Sequence, residues 1–271
     1  MRRREQADYA AMTLPTVAVA VLLGLLAGSF ANVAIVRVPE GGSVVRPRSA
    51  CPGCDARIAP RDNVPVLSWL WLRGRCRSCA ERIPVRYPLV EIGIGVLFGV
   101  VAWRVGLDPL LPAWLLFAWT LFVLAVIDLR VRRIPNRLTY PLTPVLLLLV
   151  VGGALLGGDP AGALRGVLGG VAAFAALLAL ALISPRGMGM GDVKLAGFIG
   201  VGLGPLGWGE VLLGVFGGFL VGGIVAIALL ATGLRTRKDY VPFGPSLAAG
   251  ALAALLVGEP IIDAYRAAVG M

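Results

Sequence analysis

The 271-residue chain contains no histidine. That absence excludes Ser-His-Asp and Cys-His catalysis and leaves acid–base chemistry to carboxylates, lysine, tyrosine and cysteine. Charge is scarce as well. Only 15% of residues are Asp, Glu, Lys or Arg, against 58% hydrophobic, whereas soluble domains average about 45–50% apolar residues. A soluble globular class is therefore excluded. Lysine is missing from the one long polar segment, residues 37–87. No internal repeat or low-complexity tail stands out. The first apolar run has no small-x-small site before a polar region, so a retained first helix is expected and not a cleaved signal.

What is present is a series of apolar runs: Leu14–Val36, Pro88–Trp103, Leu110–Ile127, Leu138–Gly158, Gly166–Pro185, Leu195–Gly209, Val211–Leu234 and Tyr240–Gly258. About 20 apolar residues cross the hydrocarbon core, so about eight transmembrane helices are expected in an all-α polytopic membrane protein. Leu195–Gly209 is short and holds Gly197, Gly200, Gly202, Gly204 and Pro205, which marks it as a tilted, broken or re-entrant piece. The expected division is a first transmembrane helix (1–36), a small insert (37–87) and a transmembrane bundle (88–271). Glycines inside the spans, such as Gly214, Gly217, Gly218, Gly222 and Gly223, suit close helix approach.

The net charge of +10 could suggest nucleic acid, but its placement reads as a topology signal and no nucleic-acid partner is expected. With eight spans, loops 37–87, 129–137, 186–194 and 235–239 carry nineteen Lys/Arg and the opposite side six. The positive-inside rule puts the first set in the cytoplasm and both termini outside, with Arg2-Arg3-Arg4 dissenting.

All four cysteines lie in the insert, as Cys51-Pro52-Gly53-Cys54 and Cys76-Arg77-Ser78-Cys79, separated by 21 residues. Two Cys-x-x-Cys pairs at this spacing read as a zinc ribbon, in which four thiolates close one tetrahedral structural site. A metal also helps a segment too small to bury much core. Disulfides fit poorly with a cytoplasmic loop, and a catalytic thiol lacks a histidine to activate it. The ten arginines of the insert, with Trp69 and Trp71, suit membrane lipid headgroups or a polar docking surface, or else an orientation signal with aromatic anchors.

Asp128 ends one apolar run and Asp192 precedes the short one, within Gly187-Met188-Gly189-Met190-Gly191-Asp192-Val193-Lys194. The two spans between them return the chain to the same face, so both carboxylates can meet at one depth. Two close carboxylates share a proton, one acting as base toward water while the other protonates or polarises a carbonyl. This is aspartyl protease chemistry. Gly189 and Gly191 would let an extended substrate lie beside the carboxylate, and Lys194 is grouped with them as substrate-positioning. Taken singly, each aspartate also fits a helix cap or a partner of Arg130, Arg132 or Lys194.

Several segments in order resemble the prepilin peptidases, the bifunctional leader peptidases and N-methyltransferases of type IV pili and type II secretion. They are Gly28-Ser29-Phe30-Ala31-Asn32-Val33 with Arg37-Val38-Pro39, the cysteine pairs flanking Asn63-Val64-Pro65 and Ser68-Trp69-Leu70, then Arg86-Tyr87-Pro88-Leu89-Val90-Glu91. Ile127-Asp128, Ile134-Pro135-Asn136, Gly189-Met190-Gly191-Asp192-Val193-Lys194 and Pro242-Phe243-Gly244-Pro245 follow. The resemblance implies an inner-membrane aspartyl endopeptidase of the Gly-x-Gly-Asp type with Asp128 and Asp192 as its catalytic pair. It also implies cleavage of prepilins or pseudopilins after a glycine on the cytoplasmic side, then N-methylation with S-adenosylmethionine. Glu91 and Gly95 match the region associated with methyl transfer. Met190 stands where the family has an aromatic, and Val193 where it has a bulkier residue. The competing reading is a non-catalytic or proton-coupled membrane assembly or transport protein.

Overall fold

The computed structural model describes residues 2–184, 188–234 and 242–270, with side chains from Leu14 onward. Gly187 and its neighbours Pro185 and Arg186, the basic residues Arg235, Arg237 and Lys238, and the side chains of Arg2, Arg3 and Arg4 lie outside the described residues. The described chain is helical, and its only strand-like pairings are two isolated bridges. Among the described residues seven helices are long and apolar enough to cross a membrane, which makes this a multi-pass membrane protein. The chain divides into two compact units, Met1–Leu107 and Asp108–Met271.

In the first unit, α1 (Arg2–Arg37) and α3 (Arg86–Val105) pack antiparallel. The seam is made of glycine. A Cβ on Gly28 would meet Glu91 Cα at 2.6 Å, one on Gly24 would meet Gly95 Cα at 2.8 Å, and one on Gly99 would meet Val21 at 2.7 Å. Small residues permit this approach where hydrophobic burial gives no net drive between helices in lipid.

Between these helices the insert forms two matching knuckles. Cys51 N–H donates to Ala56 O at 3.0 Å and Asp55 N–H to Cys51 O at 2.9 Å. Twenty-five positions later, Cys76 N–H donates to Glu81 O at 2.8 Å and Ala80 N–H to Cys76 O at 3.0 Å. Asp55 and Ala80 both adopt left-handed φ, at 53° and 58°, and each knuckle is closed by a bridge, Ala50 to Arg57 and Arg75 to Arg82. In the sequence the two knuckles share Cys-x-x-Cys-x-x-Arg-Ile, Arg57 and Ile58 recurring as Arg82 and Ile83, a pattern too short to stand out as an internal repeat. The short helix α2 (Leu67–Trp71) links them. Trp69 is fixed inside the insert, donating Nε1–H to Ile83 O at 3.1 Å, whereas Trp71 is 84% exposed.

The second unit contains α4 (Leu111–Val131), α5 (Asn136–Leu156), α6 (Pro160–Ile183), α7 (Met190–Leu203), α8 (Trp208–Ala231) and α9 (Gly244–Val269). At 14 residues α7 is about 21 Å long, short of a hydrocarbon core of about 30 Å. It is nevertheless the most enclosed helix, with Val193 and every residue from Leu195 to Leu203 buried. Helix α6 runs antiparallel beside it. Gly197 lies at Phe174, Gly200 against the Gly169 carbonyl, and Gly204 at the Arg165 backbone. Arg165 also donates to Pro205 O at 3.1 Å. In place of the run expected as Leu195–Gly209 stands an unbroken helix that starts earlier, at Met190, takes Asp192 into its first turn, and ends at Leu203, ahead of the turn that leads into α8 at Trp208. Protein surrounds it, so it need not match the bilayer thickness.

On its other side α7 meets α4. Phe117 stacks on Phe198 at 5.6 Å, and the Trp114 indole donates to Gly202 O at 3.0 Å. Helices α8 and α9 form another glycine-mediated pair, with Gly218 against Leu247 and Gly250 against the α8 backbone. Gly200→Ala forces a methyl group into the Gly169 carbonyl, whereas Gly223 faces open space. Thermal unfolding in detergent should show Gly200→Ala destabilised by about 1–3 kcal/mol and Gly223→Ala close to wild type.

Candidate active site

Asp128 sits in the last turn of α4, 3% exposed, and Asp192 in the first turn of α7, 6% exposed. The local sequence accounts for both positions. Helix α4 stops where Arg132 turns left-handed at φ 54°, returning its N–H to Asp128 O at 2.8 Å, and Ile134-Pro135 leads into α5. Helix α7 starts at Met190 because Gly189 is extended, at φ −80° and ψ 145°. The two carboxylates come into one electrostatic field, with the Asp128 charge acting on Asp192.

Each carboxyl group is held by a glycine N–H. Gly244 N–H donates to Asp128 Oδ2 at 3.0 Å, and Gly189 N–H donates to the Asp192 carboxylate. Neither glycine has room to spare on that side. A Cβ on Gly244 would stand 2.7 Å from Asp128 Oδ2, and one on Gly189 would stand 3.4 Å from Asp192 Oδ2. Gly244 carries no chemistry in the sequence reading, where Pro242-Phe243-Gly244-Pro245 counts only toward the resemblance. A backbone donor leaves no side-chain signal, and the two prolines flanking a Phe-Gly turn are the only trace.

The other residues expected to position substrate are engaged in setting this geometry. Gly191 faces Ile134, where a Cβ would meet the isoleucine at 3.0 Å. Lys194 donates to Asn136 Oδ1 at 2.8 Å and lies over the Tyr140 ring at 4.8 Å. The lysine therefore ties α7 to the turn that follows Asp128.

In the first unit the four cysteine sulfurs lie within 4.8 Å of one another. None is in a disulfide, and Cys51 and Cys79 are 3.7 Å apart, sulfur to sulfur. That is far beyond a disulfide bond of about 2.05 Å. It matches the roughly 3.8 Å edge of a tetrahedron built on zinc–sulfur distances of about 2.3 Å. The thiols are also electrostatically divided. Cys76 is drawn down to about 7 by the N–H groups of Cys79 and Ser78. Cys79 is pushed up to about 12, because hydrogen bonding to Cys54, burial and the thiols of Cys51 and Cys76 outweigh the Glu81 N–H that holds it down. Four thiols this close need a cation before all can ionise, and the donor set fits zinc.

Glu91 and Gly95, one turn apart on α3, occupy different surroundings. Glu91 is 8% exposed and accepts the Val66 N–H at 2.7 Å. Gly95 is in the packing seam, with Leu25 at 3.0 Å from where its Cβ would be.

Two family models match the chain, the Bacterial Peptidase A24 N-terminal domain over residues 22–105 and the Type IV leader peptidase family over residues 115–227. The chain is 35% identical over 245 residues to the prepilin leader peptidase/N-methyltransferase of Bacillus subtilis, covering 90% of this chain and 95% of that protein. The chain belongs to the type IV leader peptidase family. Proteins of the same description from Aeromonas salmonicida (35% identity, 92% and 93% coverage) and Pseudomonas aeruginosa (34%, 95% and 96%) are similarly related. No solved structure matches the chain significantly. Asp128 and Asp192 fall inside the leader peptidase match, and the cysteine cluster with Glu91 falls inside the N-terminal match.

Gly244→Ala should lower proteolytic turnover roughly 10²-fold, the scale for a displaced reacting group, because its methyl group would stand 2.7 Å from Asp128 Oδ2 and push the carboxyl aside. The check is cleavage by purified protein at matched helical content, and turnover within a few-fold of wild type would remove Gly244 from the site.

Proposed function

We propose that the chain is an aspartyl endopeptidase of the inner membrane that removes the basic leader from prepilins or pseudopilins after a glycine. N-methylation of the new N-terminus with S-adenosylmethionine then follows. The observation that carries the reading is the pair of buried aspartates, each fixed by a glycine N–H, with the Asp128 charge acting on Asp192. The printed names of the relatives, prepilin leader peptidase/N-methyltransferase, supply the substrate class and the second activity.

One carboxylate takes a proton from a water molecule while the water oxygen bonds to the scissile carbonyl carbon. The other carboxylic acid gives its proton to the carbonyl oxygen. Collapse of the tetrahedral species breaks the C–N bond, and the amine leaves with a proton from the dyad. Holding Asp128 Oδ2 on Gly244 N–H leaves the other oxygen of that group for water or substrate. An extended substrate lies along Gly189 and Met190, which is 49% exposed beside Asp192. Arg130, Arg132, Arg133 and Arg137 follow Asp128 directly, which favours a cytoplasmic location for that helix end.

S-adenosylmethionine supplies an electrophilic methyl group to the freed N-terminal amine, which must be neutral to accept it. Zinc is held by Cys51, Cys54, Cys76 and Cys79 as a structural ion of the insert, whose outer arginines and Trp71 face membrane lipid.

Asp128→Asn and Asp192→Asn should each reduce prepilin cleavage in membranes by roughly 10³-fold or more while the protein still inserts. Normal cleavage by either variant would reject the dyad. Elemental analysis of protein purified without chelator should give one zinc per chain, and Cys76→Ser should lose it together with folding of the insert. Metal-free protein with a folded insert would remove zinc from the account.

A further inference from the structure

The second cysteine knuckle carries a cluster of cations that neither the sulfur cluster nor the aspartate pair uses. A cavity of about 390 Å³ opens on it, with Trp69, Arg73, Arg75, Arg82 and Val85 on its wall. Its volume falls within the roughly 300–1,000 Å³ typical of small-molecule sites. Among the described residues no acid lies on this wall, and the exposed side chains of Arg73, Arg75 and Arg82 take part in no hydrogen bond or ion pair. Glu81, next to Arg82, is turned the other way, its carboxylate against Gly53 of the first knuckle. Asp62 is already taken by Arg77, with Nε to Oδ2 at 2.9 Å.

Backbone geometry forces two of these cations together. In the bridge between Arg75 and Arg82, Cys76 N–H donates to Glu81 O and Ile83 N–H to Gly74 O, each at 2.8 Å. This is the non-hydrogen-bonded kind of antiparallel pair, with Cα atoms about 4.5 Å apart and both side chains on one face. Like charges directly opposite destabilise such a pair. The first knuckle has the same bonds, Cys51 N–H to Ala56 O and Ile58 N–H to Ser49 O, both at 3.0 Å, yet it sets Ala50 opposite Arg57. Opposed arginines are thus no requirement of the knuckle fold. Arg73 brings the third guanidinium from a left-handed turn, at φ 52°, followed by Gly74 at 66°. The other donors of the wall are engaged within the protein. Trp69 Nε1–H bonds Ile83 O at 3.1 Å, Gly74 N–H bonds Trp69 O at 2.8 Å, and Arg75 N–H bonds Leu72 O at 3.1 Å. Three guanidinium groups are what remains for a ligand.

The location of the cavity points to the source of an anion. Its Ile83–Val85 side runs straight into α3 at Arg86. At 20 residues α3 is about 30 Å long, the thickness of the hydrocarbon core, so its first turn and the cavity beside it stand at headgroup depth. Exposed apolar side chains flank the cavity along the chain, Leu70 and Trp71 on α2 and Val85 and Leu89 around the start of α3. We propose that this cavity binds the phosphate headgroup of an anionic membrane phospholipid of the phosphatidylglycerol type. Forked guanidinium groups match phosphate oxygens in pairs, and basic pockets at the cytoplasmic surface select anionic headgroups. The Trp69 ring lies beside the glycerol, Leu70 and Trp71 meet the acyl chains, and the bound anion relieves the repulsion between Arg75 and Arg82. This assignment rests on the reading above that the insert faces membrane lipid, and it narrows that reading to one site and one lipid class.

The test uses the full-length protein, delipidated in neutral detergent, with dioleoylphosphatidylglycerol, dioleoylphosphatidylcholine or inorganic phosphate added and bound ligand counted by native mass spectrometry. In parallel, a photoreactive phosphatidylcholine in proteoliposomes maps which peptides touch lipid. Phosphatidylglycerol should bind at least about tenfold tighter than either of the others. Arg75→Ala, which copies the pairing of Ala50 with Arg57, and Arg82→Gln should each weaken that binding about fivefold with metal content unchanged. Arg48→Gln, off the wall, should bind as wild type. An equal loss in Arg48→Gln, or no loss in either wall variant, overturns the site and leaves the insert facing lipid. Phosphatidylcholine or free phosphate binding as tightly as phosphatidylglycerol overturns the anionic-lipid assignment. Absence of cross-links within residues 37–87 overturns the lipid-facing reading and the site together.

Discussion

A helix of 14 residues cannot cross a bilayer on its own, and the position of Asp192 depends on one that does not have to. The glycine face shared by α6 and α7 provides the enclosure. Gly169, Gly170, Gly197, Gly200 and Gly204 bring the two backbones together along the length of α7, so lipid never meets its short apolar surface. Stacking of Phe117 on Phe198 and the Trp114 bond to Gly202 O then fix α7 against α4. With those contacts in place, the first turn of α7 and the last turn of α4 present their aspartates into one site. Glycine in this protein is the means by which a carboxylate is carried to membrane depth.

The same residue type performs the final adjustment. Gly244 and Gly189 each give one N–H to one aspartate, and the lack of a Cβ at either position keeps the space beside the carboxyl open. Lys194, Asn136 and Tyr140 hold the start of α7 to the turn after α4 from outside the pair. These side chains span two helix termini, so the separation of the carboxylates is set by fixed backbone and not by mobile loops, as transition-state positioning requires. The insert follows a parallel logic, in which paired backbone knuckles bring four sulfurs within 4.8 Å of one another.

Much of this was legible in the sequence. Apolar runs located each long helix, because about 20 apolar residues are what a bilayer demands, but not every end: α6 starts ahead of its run, at Pro160, and α9 continues past Gly258 to Val269. The cysteine spacing foretold the cluster, because a Cys-x-x-Cys turn leaves few other arrangements. Asp128 and Asp192 stood out as carboxylates beside apolar segments in a chain without histidine. Less visible was the start of α7: Asp192 and Lys194 look like the end of a loop until Lys194 is seen bonded to Asn136. The donor role of Gly244 was hidden because it belongs to the backbone. The knuckle repeat is written in the sequence only as a short Cys-x-x-Cys-x-x-Arg-Ile recurring once, and the left-handed turn shared by Asp55 and Ala80 belongs to the backbone.

The central claim is that Asp128 and Asp192 act as one unit on a shared water and proton. Its most direct test is a double-mutant comparison of prepilin cleavage by Asp128→Asn, Asp192→Asn and the combined variant, each at verified membrane insertion. If the pair is a unit, the double variant cleaves about as slowly as either single one, because the first substitution already disables the second group. If the two losses multiply, the aspartates work independently and the shared-site account is contradicted.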